Sequence, residues 1–141
     1  MAHGWWGIAD CSSNDWINEG GAEFSAFSAA KHIYGEEYAD SVIQNYISQI
    51  KKSADEEAIV DSTPGSQYRY LNHYIKTTVM FVNACERFGE NRVFDLLKEL
   101  YEKFAATRNA TTNEFLNLCK PDMRVFFEKL LFAKGWKEIN L

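Results

Sequence analysis

The chain has little that would build anything but helices: two prolines among 141 residues, and no strand-length run in which apolar and polar residues alternate. The all-α class follows from what remains, an apolar spacing of three and four residues. No apolar stretch approaches the roughly 20 residues of a membrane span, and no basic segment followed by an apolar one opens the chain. A soluble, unexported, cytoplasmic protein with no membrane partner is therefore expected. Basic stripes are also lacking. With a net charge of −5 and scattered lysines and arginines, nothing provides the electrostatic footprint of a nucleic-acid binder. Cysteine is scarce: Cys11, Cys85 and Cys119 lie far apart without Cys-x-x-Cys spacing, which excludes a disulfide framework and a thiolate zinc site and predicts buried thiols in a reducing compartment. Without a secretion signal, Asn109-Ala-Thr111 reads as a chance match to a glycosylation acceptor.

What is present is apolar and aromatic. Four Trp and ten Phe in a chain that is 46% hydrophobic argue for one packed core, hence for a single domain over residues 1–141. Asp15 is placed to cap a first helix with Ile17, Gly20, Phe24, Phe27, Ala30 and Tyr34 on one face, closed by Gly35. Ala39, Ile43, Ile47 and Ile50 mark a second helix. Residues 55–66, acidic and then Ser-Thr-Pro-Gly-Ser, predict a loop. A third helix over 70–88 carries Ile75, Val79, Met80, Phe81, Val82, Ala84 and Cys85 around most of its circumference, which predicts a central position. Gly89 ends it. Val93, Leu97, Leu100 and Phe104 define a fourth helix, widened by Phe94 and Tyr101. A short helix over 113–119 follows, and Pro121 starts the last, with Phe126, Phe127, Leu130 and Leu131 inward. About six helices result, with no internal repeat.

The chemistry-bearing residues lie mostly near the start. His3 precedes Trp5-Trp6-Gly7, and Glu19 sits in Trp16-Ile17-Asn18-Glu19-Gly20. An imidazole and a carboxylate from two helices are two of the three protein ligands a catalytic zinc uses, although by composition alone such a pair is better explained by packing and by the helix dipole. The wording adds to this. "AHGWWG" followed by "WINEGGAEF" resembles the zinc signature of the aminopeptidase N (membrane alanyl aminopeptidase) family, in which His-Glu-x-x-His is followed by Trp-Leu-Asn-Glu-Gly. Tyr74-Ile75-Lys76-Thr77-Thr78, with Phe88-Gly89-Glu90 closing the same helix, is similar to that family's Tyr-Glu-Lys-Gly-Ala helix. "ENRVFDLLKELYEKFA", "TTNEFLNLC" and "VFFEKLLFAKGW" extend the likeness over nearly the whole chain.

The resemblance implies the C-terminal, helical lobe of a thermolysin-like (gluzincin) metallopeptidase domain. His3 and Glu19 would be zinc ligands, Tyr74 would stabilise the oxyanion, and the substrate would be the amino-terminal end of a peptide. The first zinc histidine and the general-base glutamate would lie upstream of Met1, so zinc is expected in the parent enzyme and not on this chain alone, which is expected to be inactive. The pattern departs in three places: fewer residues separate His3 from Glu19 than in the family, Thr77 replaces a glycine, and Gly20-Gly21 replaces Gly-Phe. His73, beside Tyr74, offers a third nitrogen only if its ring turns that way, and His32 reads as an exposed residue near a helix end. A non-catalytic helical domain is the competing expectation. Its exposed apolar surface would be buried by self-association into a homodimer or by binding another protein.

Overall fold

The first helix, α1 (Asp15–Tyr34), is buried nearly all round in its N-terminal half, where Trp16, Ile17, Gly20, Gly21, Ala22 and Phe24 meet neighbours on every side. The computed structural model describes residues 6–54 and 56–141, and all regular structure among them is helical apart from one isolated bridge between Ala9 and Ala110. Asp15 does not cap α1. Asn14 holds the cap position, and Asp15 is the first helical residue, with its carboxylate drawn to Arg69 instead. The far end of α1 leaves the core, so Tyr34, expected inward, is 67% exposed.

Gly35 separates α1 from α2 (Glu36–Lys52), with its N–H closing on the Lys31 carbonyl at 2.8 Å and a φ of 95°. An L side chain disfavours that backbone, whereas glycine takes it freely. Because nothing lies within 4 Å of a Cβ built there, Gly35→Ala tests the backbone alone. Its expected cost is about 1–3 kcal/mol, read as a lower urea midpoint at unchanged slope. On α2, Ala39, Ile43 and Ile50 are buried and Ile47 is half-buried, as the spacing predicts.

The acidic segment after α2 is more than a surface loop. Ala58, Ile59 and Ser62 are at most 1% exposed, and a 3₁₀ turn over Ile59–Asp61 packs against the last helix. The third helix also differs from expectation. Tyr70–Lys76 is π-helical, and only Thr77–Phe88 is α-helical, here α3. A wider turn leaves carbonyls poorly matched to the α pattern. Thr77 Oγ1 donates to the His73 carbonyl at 2.7 Å, and Thr78 Oγ1 to that of Tyr74 at 2.8 Å, which gives those carbonyls side-chain donors.

Helix α3 is central, packing on α1, α2, α4 (Glu90–Phe104) and α6 (Pro121–Phe132). Gly89, with φ of 92°, makes the break before α4, and α5 (Thr112–Leu118) is capped by Thr111, whose hydroxyl accepts the Glu114 N–H. Val93, Leu97, Leu100 and Phe104 are buried; Phe94 and Tyr101 sit at the edge, 41% and 37% exposed, against Phe24 and Trp6. An aromatic chain runs through the core. Trp16 meets Phe115 at 5.2 Å between ring centroids, and Phe115 meets Phe127 at 5.0 Å.

Beyond α6, Trp136 is buried, with Nε1 donating to the Leu130 carbonyl. Lys51 Nζ clamps this segment by donating to the Lys137 and Ile139 carbonyls, each at 2.6 Å. Of the three free cysteines, Cys11 is exposed, against expectation, because it lies in the turn preceding α1. Burial pushes the half-buried Cys85 and Cys119 thiols up to about 11 and about 12, so both are poor nucleophiles at neutral pH.

Candidate functional site

Positions i and i+4 share a helix face, so Asp15 and Glu19 project from α1 together. Across from them stand Arg69, which immediately precedes the π turn, and Tyr74 within it. Arg69 Nη2 lies 2.8 Å from Asp15 Oδ2 and 3.1 Å from Glu19 Oε1, one guanidinium corner shared by two carboxylates. The side chains are 4% exposed for Asp15, 14% for Glu19 and 31% for Arg69, so the pair deepens from the surface inward. Arg69 stands 5.8 Å from the centroid of the Tyr74 ring, and Tyr70 stacks on the same ring at 5.3 Å.

Burial, and next the hydrogen-bonded Glu19 carboxylate, push the Tyr74 phenol up to about 12, with Arg69 opposing. Near neutral pH Tyr74 is therefore a protonated donor aimed at a carboxylate. Its hydrogen bond to Asp15 holds Arg69 in the charged form even more firmly than usual. The cluster is thus a pair of acceptors, a fixed cation and a neutral O–H donor at a partly open surface. It suits the binding or polarising of a small polar group, since charges shielded from water interact more strongly.

Asn18, between the two acids, turns the other way. Its Oδ1 accepts the Ile8 and Ala9 N–H groups, and its Nδ2 donates to the Ala9 carbonyl and to Asp15 Oδ1, all at 2.9 Å. One amide therefore ties residues 8–9 to α1 and braces the acid that holds Arg69. The same stretch is pinned from its far side, where the Ala110 N–H donates to the Ile8 carbonyl.

The two glycines after Glu19 exist for close approach. A Cβ on Gly20 would meet Thr77 Cβ at 2.7 Å, and one on Gly21 would meet the Trp6 ring at 2.5 Å. Thr77 thus does not prevent helices α1 and α3 from approaching at this level, because the glycine stands on the opposite helix. The missing large side chain after Gly20 leaves the space that the Trp6 indole fills, and Trp6 Nε1 reaches Ser25 Oγ at 2.9 Å.

Of the residues singled out from the sequence, Glu19 and Tyr74 come together, and His3 lies outside the described residues. His73 does not join them. Its ring is fully buried and faces the Ile59 and Ser62 carbonyls, although neither nitrogen completes a hydrogen bond of good geometry. His32 is exposed in the last turn of α1. Sequence reading missed Arg69, assigned Asp15 to a cap and passed over Asn18. The signal for Asn18 was its place inside the quoted Trp-Ile-Asn-Glu-Gly stretch; a lone arginine before a tyrosine-rich helix carries none.

Burial chiefly lowers the His73 pKa, opposed by Asp15 and supported by Arg69. The unfolded chain then takes up this proton first. His73 leaves stability intact above the ordinary value near 6.5 and removes it as pH falls from there toward the depressed folded value. Urea unfolding between about pH 7 and pH 5 is expected to show a slope of up to about 1.4 kcal/mol per pH unit from this group. His73→Phe should flatten that slope, and an unchanged slope would place its origin elsewhere.

Among the described residues no group of three or more His, Cys, Asp or Glu side chains is placed to hold a metal ion, and no helix is long and apolar enough to cross a membrane. Of the two zinc ligands that the resemblance implies, Glu19 is the one described, and Arg69 occupies its Oε1. The described donors alone do not make up a zinc site. Compared with protein-family models, curated proteins and solved structures, the chain matches none.

Proposed function

We propose that this chain is the helical lobe of a zinc-aminopeptidase-like catalytic domain, of the thermolysin-like type, and is inactive by itself. The observation that supports this reading is the meeting of Glu19 and Tyr74, distant in sequence, within one hydrogen-bonded cluster at a partly open surface. In this reading Glu19 supplies a carboxylate ligand, and Tyr74 keeps its proton to donate to a developing oxyanion, a role that needs a neutral phenol. His3 would supply a second ligand. Completing the metal set and moving the proton would take a His-Glu pair upstream of His3, and general-base catalysis alone contributes about 10²–10⁴ in rate. The peptide substrate, a cytoplasmic setting and the resident zinc all belong to this proposal.

The test compares this chain with one extended upstream by a helical turn carrying the His-Glu pair. Zinc by metal analysis and release of an amino-terminal residue from a chromogenic amide are expected only in the extended chain, and Glu19→Gln should abolish both. An extended chain that binds no zinc, or a Glu19→Gln variant that keeps it, would sink the reading. A second reading is favoured by the Arg69–Glu19 contact at 3.1 Å. The guanidinium already supplies a positive charge where a metal would, as in a helical domain that works by association instead of catalysis.

A further inference from the structure

We propose that the groove lying between α1, α2, α3 and the start of α4 docks a basic, amphipathic helix of a partner protein. The groove encloses about 650 Å³ and shares no residue with the Asp15, Glu19, Arg69 and Tyr74 cluster, so it stands independently of the reading given above. Its floor is apolar, made by Phe24, Phe27, Ile43, Val82 and Phe94. Phe94 is 41% exposed and lies stacked on Phe24 at 5.6 Å between centroids, which leaves a rigid aromatic face open to the outside. An open apolar floor rimmed by charged residues is the pattern of an interaction site.

The rim selects the occupant. Glu36, Asp40, Glu86 and Glu90 surround the floor, and the basic residues among the lining are Lys31 and the exposed His32. Lys31 is already shared by Glu36 at 3.4 Å and Glu90 at 3.7 Å, which leaves Asp40 and Glu86 facing outward with negative charge uncompensated by it. A second copy of this chain would bring the same acidic rim and the same net charge of −5 to the contact, and like charges across an interface oppose association. A segment with apolar side chains at i, i+3, i+4 and i+7 and lysines or arginines flanking them matches both features. The apolar face fills a groove walled by helices, and the cations pair with the rim, where they set encounter rate and specificity.

The probe is a synthetic fluorescein-labelled helical peptide of lysine and leucine with one apolar and one basic face, and a scrambled peptide of the same composition is its control. Fluorescence anisotropy should show saturable binding of the first only. The exposed pair Asp40→Lys with Glu86→Lys should weaken binding about tenfold or more, as should Phe94→Ser, whereas the distant exposed pair Glu99→Lys with Glu102→Lys should leave it unchanged. Equal loss in the distant pair, or equal binding of the scrambled peptide, would overturn the proposal in favour of unspecific charge attraction. Light scattering that shows a dimer abolished by Phe94→Ser would overturn it in favour of a second copy. The charge-reversal pair is fully on the surface, so the test holds even if Phe94→Ser fails to fold.

Discussion

Arg69→Met is expected to lower the unfolding free energy by about 3 kcal/mol near neutral pH. Removing one partner of a buried ion pair typically costs about 3–5 kcal/mol because the remaining charge stays buried and unpaired. Here two carboxylates lose their cation at once, and Asp15, at 4% exposure, has almost no water to replace it. Arg69 itself is 31% exposed, and solvent screening of that side keeps the expected loss at the lower end. The electrostatics should change in a second, separable way. Arg69 opposes the rise of the Tyr74 phenol, so without it the phenol should titrate higher still, seen as an upward shift of the last step in the ultraviolet titration of the seven tyrosines. Arg69→Lys, which keeps a charge but loses the planar fork, should fall between wild type and Arg69→Met. A loss under about 1 kcal/mol in Arg69→Met would mean the pair is worth no more than an ordinary surface bridge.

The second large effect belongs to Asn18. Asn18→Leu keeps the size of the side chain and removes four hydrogen bonds at 2.9 Å, three of them to the backbone of Ile8 and Ala9. The Ala9 N–H and C=O lose their partner while the Ile8 N–H keeps the Trp6 carbonyl at 2.7 Å, and at about 1–3 kcal/mol for each buried backbone group left unpaired, retention of the native arrangement implies a loss of about 2 kcal/mol or more. The chain has a cheaper response, which is to release residues 6–10 from α1. Hydrogen exchange distinguishes the two, since release should speed exchange at the Ile8, Ala9 and Ala110 amides while leaving α3 protected. Release would also unseat the Trp6 indole from Gly21. If exchange at those amides and the unfolding midpoint both stayed at wild-type values, Asn18 would not be what ties this stretch to α1.

These two residues illustrate how the site and the fold differ in legibility. The apolar stripes of α2 and α4, the stops at Gly35 and Gly89, and the start at Pro121 are local signals, set by a period of 3.6 residues and by backbone freedom within one turn, and they were readable. Glu19 and Tyr74 were readable as residue types at meaningful positions, through likeness to a known motif. Their neighbours were not. Arg69 reaches Asp15 and Glu19 across more of the chain than any local pattern spans, and Asp15 has the same composition cue whether it caps a helix or pairs with an arginine. The π turn at Tyr70–Lys76 was invisible because the same apolar spacing serves an α-helix equally well, and the burial of Ile59 inside an acidic stretch was masked by its polar surroundings.

The sequence by itself determined the all-helical class, the number of main helices and where most of them begin and end, because those depend on spacing, capping and glycine. Only the tertiary structure decided which side chains complete the Glu19 cluster, which way His73 and Asn18 face, and where an acidic rim closes around an apolar groove. Those outcomes depend on pairings between distant segments, whose energy comes from burial and charge in a shared interior and is written in no single stretch of the chain.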